Sequence, residues 1–362
     1  MTELPIPDGA ANLGRAWLQD ALEPHLSGRL ASIDLEPLGE GVGILGELSR
    51  VSLQYEDGAA GPASLIAKFP SRVAVNRDLA HGAGYYATEL GFYQHASASA
   101  PIRVATPYYT DIDSESGDFV LLLEDLGAGE VGDQVAGSDE ERSRRAILEI
   151  AKVHVDWWDR VDTDAPWLRS FDSPAFVAFI DEVIPAMWPV SLPHFEARVG
   201  AAATAAAERL LKVLPPLMTE ISRPPRTLVH GDFRLDNLVF GLPGEGDAVA
   251  VLDWQIAGKG RGAYDVGYHL SQSIAPSVRE EIEERLVHDY HDALVNGGVG
   301  GYSFDDCWTD YRRAVMFCLV YPIAVFGGVD LGNERGLALA EALLERSAAA
   351  VEGLVAWELL PD

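Results

Sequence analysis

The stretch "LVHGDFRLDN", residues 228 to 237, constrains the fold more than any other part of the chain. A histidine, two aspartates, an arginine and an asparagine stand between Leu228-Val229 and Leu238-Val239-Phe240, two short apolar pieces that read as strands. Polar groups held between strands are buried or half-buried, where each costs free energy unless something binds it. Either these groups satisfy one another as a structural turn, or they await a charged ligand.

Composition narrows the setting. The chain of 362 residues is long enough for two lobes, and 48% of it is apolar, so a sizeable core is available. There are 27 Lys and Arg against 56 Asp and Glu, a formal net charge of −29. That balance argues against nucleic acid and against anionic membrane surfaces as partners, because both are bound by neutralising phosphates. Two cysteines, Cys307 and Cys318, make no disulfide framework and point to a reducing compartment. The opening "MTELPIPDGAANLG" has neither a basic nor an apolar leader region, so a cytoplasmic location is expected. The longest uncharged run, residues 314 to 329, is shorter than the roughly 20 residues of a span and contains Pro322. It reads as a buried core helix.

Helical spacing over residues 12 to 30 gives way to strand signals at "VSLQY" (51–55) and "SLIAKF" (64–69). A helix is expected at "YYATELGFYQHA" (85–96) and a doubly covered strand at "FVLLLEDL" (119–126). From about residue 138 the pattern is mostly helical, interrupted near 227–254 by "TLVHGD", "NLVF" and "AVAVLDW", short strand-like pieces joined by loops. No solenoid-length repeat is visible. The expected organisation is an N-terminal lobe over 1–126 with a small sheet and a C-terminal lobe over 127–362 that is larger and mainly helical.

Asp232 and Asn237 lie five positions apart, and Asp253 follows sixteen positions later at the end of "VAVLD". Protein kinases divide labour in this way: a loop Asp takes the hydroxyl proton, an Asn five residues on binds metal, and a later Asp binds metal too. Magnesium prefers oxygen ligands, and a carboxylate with an amide carbonyl leaves room for water and phosphate oxygens. A single loop Asp or Asn is more often a turn former than a catalyst. Joined to a strand ending in Asp-Trp, the pattern becomes specific.

"HGDFRLDN" followed by "VLDWQIAGKGRGAYDVGY" resembles the aminoglycoside phosphotransferase and choline kinase-like superfamily, over about residues 35 to 330. The resemblance implies an α+β, bilobal protein-kinase-like fold, ATP with Mg²⁺, and transfer of the γ-phosphoryl group to a hydroxyl of a small molecule. It implies that Asp232 is the catalytic base, that Asn237 and Asp253 hold the metal, and that Asp265 lies beneath the catalytic loop. It also implies adenine contacts from the backbone after "FVLLL", around Glu124, Asp125 and Leu126.

The N-terminal lobe offers the remaining parts. In an extended "LIAKF", Ile66 and Lys68 share one face while Leu65, Ala67 and Phe69 take the other. Lys68 is the candidate for the α- and β-phosphates, with Glu89 in the next helix as its ion-pair partner. A lone lysine among apolar neighbours also snorkels commonly. "GEGVGILGELSRVSL" supplies Gly39, Gly41, Gly43 and Gly46 before the lysine strand, and Gly41 and Gly43 are candidates for backbone approach to phosphate. His154 and His230 read as scaffold. Arg234 either meets phosphate or substrate, or pairs with Asp236. No zinc spacing and no hydrolase elbow occurs.

The expected function is ATP- and Mg-dependent phosphoryl transfer to a neutral or cationic alcohol, aminoglycoside-like or other. The alternatives are a catalytically silent nucleotide-binding module, or a kinase of an apolar alcohol or of protein. Against a protein kinase stands the short "QIAGKGRGAYD", which leaves no room for a regulated activation loop. The sequence carries no reading of oligomeric state.

Overall fold

The structure, a computed structural model, describes residues 4–38, 45–328 and 334–361. Gly39, Gly41 and Gly43 of the glycine-rich stretch lie outside the described residues. The chain divides into two compact units: one holds the chain up to Ala100 together with Val104–Ala128, the other Pro101–Arg103 and the chain from Gly129 onward.

The first unit begins with α1 (Arg15–Ala21), shorter than its helical spacing suggests because strand pairing takes over at Leu30. Strands β1 (Leu30–Leu38), β2 (Gly46–Tyr55) and β3 (Ser64–Pro70) follow, then α2 (Ala74–Gly82), α3 (Tyr85–His95), β4 (Pro107–Ile112) and β5 (Phe119–Glu124). The five strands form one antiparallel sheet in the order β1-β2-β3-β5-β4. Period-two alternation decides what each face does. Leu65, Ala67 and Phe69 of β3 join Val51, Val120, Leu122 and Leu18 of α1 in one apolar cluster. Lys68, between them in sequence, turns to the other face and meets Glu89 of α3.

The second unit opens with β6 (Glu130–Val131) and the helices α4 (Glu140–Trp157), α5 (Val161–Asp164), α6 (Pro174–Arg198), α7 (Ala201–Leu210) and α8 (Leu214–Ser222). The island of strand comes next: β7 (Thr227–Val229), β8 (Leu238–Phe240), β9 (Ala250–Val251) and β10 (Gly258–Gly260). Helices α9 (Ala263–Ser273), α10 (Pro276–Asn296), α11 (Phe304–Phe317), α12 (Val320–Gly328) and α13 (Glu334–Gly353) complete it. Asp139 starts α4 by accepting from the N–H of Arg142 at 2.8 Å, which satisfies one of the orphan donors of a helix start. β7 pairs antiparallel with β10, and β8 lies between β6 and β9. β10 is the sequence "GKG", too poor in β-formers to be read in advance. A side chain at Gly258 would sit 2.3 Å from the ring of Phe171, so that pairing needs glycine.

One expectation changes. The run 314–329 is not one helix: α11 ends at Phe317 and α12 begins at Val320, which puts Pro322 in a first turn where its missing N–H costs nothing. Among the large-lobe aromatics, Trp157, Phe171 and Phe176 are buried, whereas Trp158, Trp167, Phe179 and Trp188 are half-buried. Among the described residues, α6 is the one helix long and apolar enough to cross a bilayer by length and composition, and it contains Pro185, Pro189 and Pro193.

The first unit's core supplies a stability test. Phe69 is fully buried, and Phe69→Ala is expected to cost about 3–5 kcal/mol, read from the denaturant midpoint of the lowest transition; an unchanged midpoint would contradict this packing.

Candidate active site

The polar loop leaves β7 at Val229 and returns at β8 at Leu238. Its turn is set from below by Asp265 on α9, which is wholly buried. Its carboxylate accepts from the N–H of His230 at 2.7 Å and from the N–H of Gly231 at 2.9 Å. His154, in the last turn of α4, lies 3.1 Å from the same carboxylate through Nε2, and Tyr290 is 2.8 Å from its Nδ1. Gly231 has φ +86, and a Cβ there would stand 2.6 Å from the carbonyl oxygen of Ile256. Both the left-handed backbone and the close approach require glycine. His230 reaches the carbonyl of Leu252 at 2.8 Å and packs edge-on to Trp254, so it is scaffold, as is His154.

Held this way, Asp232 presents a carboxylate that is 7% exposed. Tyr268 of α9 donates to Oδ1 at 2.7 Å, and the Nδ2 of Asn237 donates to Oδ2 at 3.1 Å and to the main-chain oxygen of Asp232 at 2.9 Å. Because Asn237 directs its amide nitrogen at Asp232, its carbonyl oxygen Oδ1 is turned away from that residue. The main chain of Asn237 accepts from the N–H of Leu252 at 2.9 Å, which brings Asp253 beside the loop. Asp253 adopts a left-handed backbone, φ 62, rare outside glycine and the kind of strain that gathers at functional positions. Gln255 donates to its carboxylate at 3.2 Å.

Of its two options, Arg234 makes the pair with Asp236, and it adds Asp232. Its guanidinium is 3.5 Å from Asp232 and 3.4 Å from Asp236. Burial works against its charge, but the carboxylates of Asp232, Asp236 and Asp253 outweigh that and hold its pKa above the ordinary range. The Tyr268 hydroxyl is pushed well up, first by burial and then by the charge of Asp232, so it stays protonated and donates.

Sequence reasoning missed two residues of this site. Gln134 accepts from the N–H of Leu235 at 2.9 Å through its side chain, while its own N–H donates to Asp236 at 2.9 Å. Tyr268 closes the stretch "GAYDVGY" three residues after Asp265, where the sequence assigns it no role. Gln134 lies about a hundred positions from its partners in the chain, and nothing local announces it.

In the first unit, Lys68 is 6% exposed and Glu89 1%. The ammonium is 2.9 and 2.7 Å from the two carboxylate oxygens. Tyr86 of α3 donates to the carbonyl of Leu45 at 2.8 Å, fixing the point where β2 begins. The N–H of Glu124 donates to the carbonyl of Thr106, just before β4, at 2.9 Å, and its carboxylate accepts from the N–H of Thr106 at 3.1 Å. Leu126 is buried just beyond.

The profile of the phosphotransferase enzyme family matches residues 50–303 of the 362, more than half of the chain and inclusive of Lys68, the loop, Asp253 and Asp265. The chain belongs to the phosphotransferase enzyme family. Solved structures agree on the fold. The GDP complex of wild-type aminoglycoside 2'-phosphotransferase-IIIa superposes with a TM-score of 0.54 at 15% identity, covering 92% of this chain and 96% of that one. The microcompartment-associated aminopropanol kinase gives 0.55 at 15% identity over 96% and 99%. Choline kinase from Cryptosporidium parvum gives 0.55 at 9% identity over 91% and 92%. The fold is therefore the α+β, kinase-like one. Among curated proteins, acyl-CoA dehydrogenase family member 10 of Mus musculus is 29% identical over 269 residues, 72% of this chain and 22% of that protein. Family member 11 of Gallus gallus is 38% identical over 108 residues, 27% of this chain and 13% of that one. The chain thus spans 22% or less of the lengths of these two relatives.

One buried histidine ties the loop to pH. His269 of α9 lies 3.2 Å from Ser143 and packs against Phe233 of the loop. Burial lowers its pKa from 6.5 to about 4. The unfolded chain therefore binds a proton that the folded chain refuses, so this stabilisation is complete above pH 6.5 and is lost as pH falls toward 4. At ~1.4 kcal/mol per pH unit, its size is roughly 3 kcal/mol. His269→Gln is expected to flatten the decline of stability between pH 6.5 and 4; an unchanged slope would show that the acid lability lies elsewhere.

Proposed function

We propose that this family member moves the γ-phosphoryl group of ATP to a hydroxyl of a small molecule. The observation that carries the proposal is the buried loop in which Asp232, Asn237 and Asp253 are brought together by hydrogen bonds of the loop and of Leu252. The residues fit a hard divalent cation: a carboxylate and an amide carbonyl supply oxygen donors only, and three carboxylates face two guanidiniums, those of Arg234 and, beside Asp236, Arg335. Among the described residues, no group of three or more His, Cys, Asp or Glu is arranged to hold a metal. A cation bound here would take two protein ligands, Asn237 and Asp253, and complete its shell with water and phosphate oxygens. Magnesium in that position would supply charge neutralisation for the transferred group.

Asp232 takes the proton of the acceptor hydroxyl as that oxygen bonds to the γ-phosphorus and the bond to the bridging oxygen breaks, ADP leaving with the electron pair. Lys68, fixed by Glu89, offsets the charge of the α- and β-phosphates. The N–H of Glu124 is engaged by Thr106, so the adenine donor falls to the main chain just beyond it, at Asp125 or Leu126. Gly41 and Gly43 remain proposed backbone contacts to phosphate. A cytoplasmic setting fits this chemistry through its supply of ATP.

The acceptor is a small neutral or cationic alcohol. The net charge of −29 sets a negative long-range field that slows anions and favours cations. The half-buried aromatics Phe179 and Trp188 on α6 support a second reading, an apolar alcohol.

Asp232→Ala is expected to reduce transfer about a thousandfold while ATP binding survives, and Asp253→Ala to remove the magnesium dependence of ATP binding. Parent-like turnover in the first, or undiminished magnesium-dependent binding in the second, would take the roles elsewhere. A matched series of alcohols differing only in charge, assayed at low and high salt, decides the acceptor. The neutral or cationic member is expected to have the highest kcat/KM at low salt; an anionic winner would show that a local basic pocket overrides the global field.

A further inference from the structure

Helix α9 does more than carry Asp265. Tyr264 and Tyr268 stand one turn apart on it, and both are buried. The hydroxyl of Tyr268 donates to Oδ1 of Asp232 at 2.7 Å. Its ring meets that of Tyr321, the second residue of α12, edge-on at 4.4 Å. Tyr321 in turn donates to the carbonyl of Gly231 at 2.7 Å, and the hydroxyls of Tyr264 and Tyr321 are 2.6 Å apart. Two tyrosines therefore hold two consecutive residues of the loop, Tyr321 by the carbonyl of Gly231 and Tyr268 by the side chain of Asp232, and Tyr264 braces Tyr321 from behind.

We propose that Tyr268 is a positioning residue for the transfer reaction, setting the rotation of the Asp232 carboxylate so that Oδ2 faces the acceptor hydroxyl. The geometry leaves little freedom. Tyr268 and Asn237 grip opposite oxygens of the same carboxylate, so rotation about the Cβ–Cγ bond breaks both hydrogen bonds at once. The bond to Oδ1 is the shorter, and Arg234 lies 3.5 Å from that same oxygen. Oδ1 is thus the more heavily engaged, and Oδ2, with one longer bond, keeps the better acceptor capacity. A charge-assisted O–H···O⁻ bond of this length is among the stronger side-chain contacts. Tyr268 itself touches no reacting atom in this scheme. Its ring is held by Tyr321, so its aim does not depend on Asp232.

The inference rests on the phosphotransfer reading, and the test separates the two. Tyr268→Phe removes one oxygen and keeps the ring in its packing. With ATP, Mg²⁺ and an accepted alcohol, kcat is expected to fall about 10- to 100-fold while KM for ATP stays within about threefold. In the Asp232→Ala background the same change is expected to alter the residual rate by less than about twofold, because its effect runs through that carboxylate. A Tyr268→Phe enzyme with parental kcat overturns the inference and leaves the phosphotransfer reading standing. So does an equal loss in the Asp232→Ala background, or a loss of kcat that only tracks a fall in Tm. A parent protein that transfers phosphate to no alcohol removes the phosphotransfer reading and this inference together.

Discussion

The site depends on one buried carboxylate. Asp265 accepts two consecutive main-chain N–H groups, from His230 and Gly231, and holds His154 beside them. A wholly buried carboxylate is costly unless its lone pairs are filled, and here the loop backbone fills them. The dependence runs both ways: the loop can turn only where Asp265 waits, and Asp265 is tolerable only where the loop turns. The left-handed conformation of Gly231 and the direction of Asp232 follow from that exchange. Because Tyr268 is three residues further along α9, the same helix that fixes the turn also reaches the side chain the turn presents.

Around that anchor the charges are arranged locally, against the field of the whole chain. The net charge is −29, yet Arg234 is held among Asp232, Asp236 and Asp253, with its ionised form favoured despite burial. Arg335 also comes within 3.6 Å of Asp236, so three carboxylates face two guanidiniums and leave an excess of negative charge, which a divalent cation would offset. In the other unit the Lys68–Glu89 pair is equally buried, with its ammonium between both carboxylate oxygens. Removing one partner of such a pair costs far more than the pair itself contributes. That asymmetry explains why a fold would keep both.

The parts legible in the sequence were those whose reason is local. The "LVHGDFRLDN" and "VLDW" pieces announce a turn between strands, and the alternation of "LIAKF" fixed which face Lys68 takes; both follow from short-range periodicity. The glycine strand β10 was illegible because its pairing rests on the space beside Phe171, not on propensity. The broken helix at 318–319 was misread because apolar content was weighed above Pro322. Gln134 was missed for the same reason that Tyr268 received no role. Each acts across the fold on a main-chain or side-chain atom far away in sequence, and burial of ordinary polar residues leaves no local mark. Arg234 shows the intermediate case: Asp236 two positions on suggested an ion pair, and the structure has that pair and a second one with Asp232.

The account stands or falls on whether an alcohol receives phosphate. The most direct measurement is ³¹P NMR of the purified protein with ATP, Mg²⁺ and a pooled set of small neutral and cationic alcohols. The expected result is a new phosphomonoester resonance that grows in step with ADP and is absent when the alcohols are left out. ATP that stays unchanged, or ADP that grows only with inorganic phosphate whatever alcohol is present, would contradict it.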